Sequence, residues 1–444
     1  MVSKHRRKII FSLTLPILGG MLSQNVLNLV DAAMVGSLGP AALGGIGIAG
    51  FVNFLSTAFF IGLATGVQSL VARNMGAGRE DKAAFPLNGG LVLNLLISVP
   101  LSIVLIYFAP NIMSALVDDP EVVAQSTPYL TTRLAGMLAL ASNFAFRGYW
   151  TSIGRPGIYM RTLLVIHAIN IVLNYLLIFG KAGFPQLGTY GAGLGTTISL
   201  FCGTLFYLFY ANKNTKHYGF AQGLPSRKAF HSLFKISMPS ALQQLFFAAG
   251  FTTLFWIIAK IGTAELAGAN AVINLTLIAI LPCIAFGITA NTLVSKALGE
   301  NNPNDAYHWG WDVSKVAFVF VMFIGLPMLF FPDFFLSWFI HDQVTLDVTR
   351  VPLQLVGFGI AFDAIALVLM SALQGAGAAK QTMVVGVVMQ WGIFLPIAYL
   401  LGPVYGMSLT AIWVAQMGYR LLQMIWFIIL WNKREWQSLK FHAH

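Results

Sequence analysis

Charge is what this 444-residue chain has least of. Only 9% of its residues are Asp, Glu, Lys or Arg, against about 25% in a soluble domain. Cysteine is nearly absent as well. Cys202 and Cys283 each lie in an apolar run without metal-type spacing, which excludes a disulfide framework or a cysteine zinc site and leaves them as small core residues. No H-E-x-x-H, G-x-S-x-G or Walker A pattern occurs, so hydrolysis and ATP-driven pumping have no basis in the sequence, and no cofactor is implied. Gly45-Ile46-Gly47-Ile48-Ala49-Gly50 matches a dinucleotide fingerprint in spelling only. It opens an apolar span without a βαβ context, and its glycines suit close helix packing.

What remains is apolar. Hydrophobic residues make up 57% of the chain and the mean hydropathy is +0.76, values that place it in lipid. The net charge of +11 would suggest a nucleic-acid partner in a soluble protein. Here the cations sit between apolar runs, in the pattern of the positive-inside rule, and no nucleic acid is expected.

Runs of roughly 20 apolar residues, enough to cross a bilayer, fall at about 9–36, 45–72, 85–110, 126–148, 158–180, 189–211, 233–259, 268–295, 312–332, 349–374, 381–402 and 406–431. The sequence thus predicts an all-α membrane protein with about twelve transmembrane helices. It is also written twice. A shift of about 223 positions sets Pro16 on Pro239, Gly39 on Gly262, Leu43 on Leu266, Gly45 on Gly268, Arg73 on Lys296 and Gly76 on Gly299. The same shift brings Asp119 onto Asp342, Gly154 onto Gly377 and Met160 onto Met383. Six helices per copy insert the same way up, so the two six-helix lobes form an internal parallel repeat. The expected domains are an N-terminal lobe over 1–211, a cytoplasmic linker over 212–232, and a C-terminal lobe over 233–444 ending in a short cytoplasmic tail.

Loop charge sets the orientation. Lys4-His5-Arg6-Arg7-Lys8 precedes a full span with no short h-region or cleavage site, and reads as the start of an uncleaved helix. With that end inside, Arg73, Arg79, Lys82, Arg155, Lys213, Lys216, Arg227, Lys228, Lys296, Lys380, Lys433, Arg434 and Lys440 gather on the cytoplasmic side. The outer side keeps Arg133, Lys181, Lys260 and Arg350 beside acids such as Asp118, Asp119 and Glu121. Both termini are therefore expected in the cytoplasm, with the chain multi-pass in an inner (plasma) membrane.

Against that background two acids stand out, Asp31 in the first span and Asp363 in the tenth. A charged Asp at the centre of a span costs about 2.5–3.5 kcal/mol on insertion scales, so each must face protein or water. On the fifth predicted span, His167, Asn170 and Asn174 share one helical face, at a depth similar to that of Asp31. Gln24 lies seven residues before Asp31 on its own helix, with Asn28 between. In the second copy, Gln24, Asp31, Asn170 and Asn174 become Phe247, Leu254, Ile393 and Ile397. The scaffold does not demand polarity there; the first copy adds it, which favours a functional role for Asp31. For Asn170 and Asn174, function and packing glue both stay open, and His167 reads as structural. Asp363 maps to Leu140, and no second acid accompanies it in neighbouring spans, which leaves its role open. Around it the second lobe is rich in aromatic and Met side chains, among them Phe246, Phe247, Met389, Trp391 and Phe394. Most of these are expected in core or lipid; any that face a cavity would suit an apolar cation.

With these motifs the chain resembles the multidrug and toxic compound extrusion (MATE) family along essentially its whole length. Pro16, Gln24 and the run Val30-Asp31-Ala32-Ala33-Met34-Val35-Gly36 carry the likeness. Asn170-Ile171-Val172-Leu173-Asn174, Gly191-Ala192-Gly193-Leu194-Gly195-Thr196 and Leu373-Gln374-Gly375-Ala376-Gly377 support it. The resemblance implies an antiporter, not an enzyme, that expels small amphipathic, mostly cationic compounds against inward H⁺ or Na⁺. It also implies a coupling-ion site at Asp31 with Gln24, Asn170, Asn174 and Thr196, and a first helix that bends near Pro16. Some members carry an Asp where this chain has Asn174, so the implied site is a lone carboxylate among amides. The sodium-linked branch adds a Glu on the seventh helix, where this chain has Leu245-Phe246-Phe247-Ala248; Asp363, a candidate second-lobe ion site, lacks that companion. Two other readings are a flippase of lipid-linked saccharides in the same superfamily, with Arg420 in the last span as its candidate cavity cation, and an intramembrane enzyme or assembly partner.

The orientation has a direct check. In a variant with both cysteines replaced by serine, a membrane-impermeant maleimide should label Asp118→Cys in intact cells, and Asn214→Cys only after permeabilisation. The opposite pattern would invert the topology.

Overall fold

A computed structural model describes residues 2–340 and 342–439; Lys440, counted above in the cytoplasmic tail, lies outside the described residues. Those residues form helices and no strand. The first lobe contains α1 (Lys4–Gly36), α2 (Pro40–Gly76), α3 (Phe85–Leu116), α4 (Pro120–Ala135), α5 (Met137–Ser152), α6 (Pro156–Phe179) and α7 (Gly188–Asn214). The second contains α8 (Arg227–Ala259), α9 (Thr263–Gly299), α10 (Pro303–Phe330), the short α11 (Pro332–Leu336), α12 (Gln343–Ala376), α13 (Ala379–Val387), α14 (Leu395–Tyr399) and α15 (Leu409–Lys433). Eleven helical stretches among the described residues are long and apolar enough to cross a membrane. The remaining predicted span, about 126–148 on the hydrophobicity criterion, is made by α4 and α5 across a break at Gly136.

That break shows how irregular backbone survives in lipid. Freed carbonyls need partners from the protein itself. Thr197 Oγ1 donates to Thr132 O at 2.6 Å and Ser102 Oγ to Leu134 O at 2.7 Å. Glycine at 136 lets Thr197 approach, since a Cβ there would stand 2.8 Å from its hydroxyl.

The repeat persists down to single contacts. Asp119 and Asp342 both cap helices, accepting from Glu121 N and Thr345 N at 2.9 Å, which satisfies N–H groups that have no partner within the helix. Gly154 and Gly377 both take positive φ, +75° and +98°, a conformation that an L side chain resists. A Cβ on Gly45 would stand 3.2 Å from Ser126 N. One on Gly268 would strike Thr349, the repeat counterpart of Ser126. Likewise the Ser102–Leu134 contact becomes, in the second copy, a bare crossing of Gly325 and Gly357.

Packing divides the chain into two compact units whose boundaries fall inside helices. One holds residues 19–237. The other holds residues up to Leu18 together with those from Met238 onward. The opening turns of α1 are fastened within this second unit. Arg6 pairs with Asp305 at 3.2 Å and Asp312 at 3.0 Å and stacks 3.8 Å over the ring of Trp309. Ile10 is fully buried, Phe11 meets Phe286 edge-on, and the hydroxyls of Thr14 and Thr289 bond at 2.8 Å. Correspondingly, Leu233 and Ser237 at the start of α8 pack on Gly66, and Ser237 donates to Leu63 O at 2.9 Å.

The glycine crossing gives a prediction. A Cβ at Gly357 would lie 2.7 Å from Gly325 O, and backbone cannot step aside as a side chain can. Gly357→Val should cost at least the roughly 1–3 kcal/mol of core overpacking, seen as a lower melting temperature in detergent. Gly44→Ala, where nothing stands within 4 Å of a Cβ, should leave it unchanged.

Candidate functional site

The polar residues of α1 and α6 meet within the unit formed by residues 19–237. Asn174 Nδ2 donates to Asp31 Oδ1 at 2.8 Å. Seven residues earlier on each helix, His167 Nε2 bonds Gln24 Oε1 at 3.1 Å. Equal spacing on both helices keeps the two ties in register, about 10 Å apart at 1.5 Å of rise per residue. Gln24 Nε2 donates onward to Asn28 Oδ1 at 3.1 Å. Asn170 and Asn174 are fully buried, whereas Asp31 is half-buried.

The network continues into α7. The Asn170 amide bonds Thr196 Oγ1 at 2.9 Å. With its nitrogen turned to the carboxylate, Asn170 donates to Asp31 Oδ1 at 3.0 Å and its oxygen accepts from Thr196. Thr196 Oγ1 in turn lies 2.9 Å from Ala192 O. Asp31, Asn174, Asn170 and Thr196 thus form one connected network, while Gln24 pairs with His167 in a separate tie between the same two helices. The glycine run on α7 makes the approach. Gly191 and Gly195, one turn apart, face α6: a Cβ on the first would stand 2.7 Å from Leu177 O, and one on the second would collide with Asn174 Oδ1. That oxygen is buried and has no hydrogen-bond partner among the described residues.

Arg133, placed by loop charge among the outer cations, lies on α4 and is close enough to Asp31 to act on it electrostatically. Its side chain is half-buried, and its Nε has no acceptor among the described residues. The sequence carried a signal for this: Arg133 falls inside a predicted span with no acid three or four residues away on its own helix.

In the other unit, Asp363 of α12 faces a cation, not a second acid. Its Oδ1 lies 3.8 Å from Arg420 Nε of α15. Phe247 and Tyr419 flank the guanidinium, with ring centroids 5.9 and 5.5 Å from its carbon, and Phe394 stacks on Tyr419 at 4.5 Å. Met389 and Phe394 are core, while Phe246 is 40% exposed and accepts a backbone bond from Trp391 Nε1. One polar junction was not anticipated. Buried Gln243 of α8 accepts from Gln374 Nε2 at 2.9 Å and from Thr382 Oγ1 at 3.2 Å, tying α8 to α12 and α13. Pro16 lies inside α1, two residues before the unit boundary at Leu18.

Comparison with known proteins agrees with this architecture. The family profile described as MatE matches residues 16–176 and 239–400, one segment in each repeat. The probable multidrug resistance protein NorM of Thermotoga maritima is 24% identical over 421 residues, covering 92% of this chain and 88% of that protein. The probable NorM of Bacillus subtilis is 25% identical, covering 93% and 92%. Among solved structures, an outward-facing multidrug resistance MATE family transporter of the MOP superfamily superposes with a TM-score of 0.87, at 20% identity and 97% coverage of both chains. A MOP superfamily transporter from Pyrococcus furiosus, described as having a binding pocket of reverse polarity, gives 0.88 at 20% identity, covering 97% and 96%. Two profile segments at the internal repeat distance, on an all-helical membrane fold of this kind, settle the assignment: the chain belongs to the MatE family of multidrug efflux transporters.

Proposed function

We propose that this transporter is a secondary active antiporter that exports amphipathic, mostly cationic compounds in exchange for inward protons, with Asp31 as the coupling carboxylate. The observation that carries the reading is the chemistry of the groups around that acid. Asn174 and Asn170 are amides, each with both a donor and an acceptor. With Asp31 ionised, an amide nitrogen donates to it, as at 2.8 Å from Asn174. With Asp31 protonated, the O–H needs an acceptor, and the unpartnered Asn174 Oδ1 supplies one when the amide turns over. The same side chains serve both charge states, so the carboxyl has a hydrogen-bond partner whether it is charged or neutral.

Protonation and binding of a cation at Asp31 are then mutually exclusive. Facing outward, the acid takes a proton, α1 pivots near Pro16 and substrate leaves; facing inward, the proton departs and a new cation is accepted. One proton exchanged for one monovalent cation moves no net charge. Only the pH gradient drives that exchange, at about 1.4 kcal/mol per unit. A neutral substrate would also draw on voltage, about 2.3 kcal/mol per 100 mV. Sodium is the competing coupling ion, since the oxygens of Asp31, Asn170, Asn174 and Thr196 suit a hard cation.

The deciding experiment is efflux of a fluorescent cationic dye from proteoliposomes under an imposed pH gradient or, separately, a sodium gradient. The pH gradient alone should drive wild type, and Asp31→Asn should lose the drive; full coupled transport in Asp31→Asn would sink the mechanism. Drive by sodium would transfer the coupling to that ion, and silence under both gradients would favour a lipid-linked substrate. A second variant isolates the amides. Gly195→Ala pushes a methyl group into the Asn174 amide without touching Asp31, and should slow pH-driven efflux by about tenfold, the effect of losing a hydrogen bond to a charged group.

A further inference from the structure

The pair formed by Asp363 and Arg420 joins α12 to α15 and has no part in the proposed coupling cycle. Both side chains sit deep in helices of the membrane-spanning C-terminal unit, 15% and 10% exposed. At 3.8 Å their closest atoms are too far apart for a hydrogen bond. A guanidinium carries five donors in a planar fork, and the buried Nε of Arg420 finds no acceptor among the described residues. Burying a charge this way is costly unless the remaining donors are used. The aromatic rings of Phe247 and Tyr419 flank the cation and offer apolar faces beside it. Asp363 keeps the guanidinium neutralised as a pair yet leaves its Nε without an acceptor among the described residues. A cation arriving at Asp363 would have to displace a tethered one.

We propose that Arg420 is a recognition residue for the carboxylate of an amphipathic aromatic ligand, which docks in the C-terminal unit against Phe247 and Tyr419, with Asp363 as the built-in counter-charge that excludes free cations. The fork geometry matches a planar carboxylate with two parallel N–H···O bonds, and the rings match an apolar ligand body. This gives the two units opposite preferences: a carboxylate set among amides in one, a donor-rich guanidinium in the other. The proposal rests on the reading of the chain as an exporter of amphipathic compounds. Its test therefore measures binding, so that a failure of proton coupling and a failure of this site remain distinguishable.

The probes are 2-naphthoate, its methyl ester and 2-naphthylmethylammonium, titrated against the full-length protein in detergent, with binding read from the shift in melting temperature. Wild type should bind the carboxylate at least about tenfold more tightly than the ester, the discrimination expected of a charge-assisted fork. Arg420→Gln should abolish that preference and, with Asp363 uncovered, gain affinity for the ammonium probe. Arg420→Gln leaves a lone buried acid, which threatens folding, so Asp363→Asn/Arg420→Gln supplies a variant with neither charge of the pair. It too should lose the preference for the acid. Equal binding of acid and ester by wild type, or an unchanged preference in either variant, overturns the proposal.

Discussion

Hydrocarbon offers no hydrogen bonds, and the rest of the structure follows from that constraint. Every polar group within the membrane-spanning helices must find a partner in the protein itself, on its own helix or another, or stay idle at a cost. At the break between α4 and α5 the partners are Thr197 and Ser102, which cap the carbonyls of Thr132 and Leu134. At Asp31 they are amides from α6. At Arg420 the partnership is incomplete, a carboxylate at 3.8 Å. A spectrum therefore runs from polar groups fully used in holding the fold to polar groups with capacity to spare. Spare capacity in so apolar a setting is where chemistry with small molecules is to be sought.

The repeat makes that distinction sharper than any single site does. Where both copies keep a residue type, the structure gives it the same mechanical job: Asp119 and Asp342 cap helices, and Gly154 and Gly377 turn the chain at positive φ. Where the copies differ, polarity has been added to a scaffold that works without it. Leu254 occupies the place of Asp31, and it is 3% exposed, an ordinary core residue. The same geometric position thus serves as packing in one unit and holds the network's carboxylate in the other.

Much of this was legible in the sequence, for physical reasons. Helical spans follow from hydrophobic length. The meeting of α1 with α6 follows from a spacing of seven residues on each of two helices that run the same way, Gln24 to Asp31 and His167 to Asn174. What stayed hidden depended on side chains arriving from far along the chain. Gly136 reads as one more small residue in an apolar run, because the groups that stabilise its break are contributed by α3 and α7. Arg420 stood alone in the last span, because its partner lies on another helix with no periodic signal to join them. Nor does composition mark the places where packing changes hands, at Leu18 and at Ser237, since both lie within unbroken helices.

Those two positions carry a consequence of their own. Each unit is completed by the opening turns of the other repeat's first helix: residues up to Leu18 are built into the unit that begins again at Met238, and the start of α8 into the unit of residues 19–237. Two identical chains that trade an equivalent segment form a domain-swapped dimer, and this molecule has that plan within a single polypeptide.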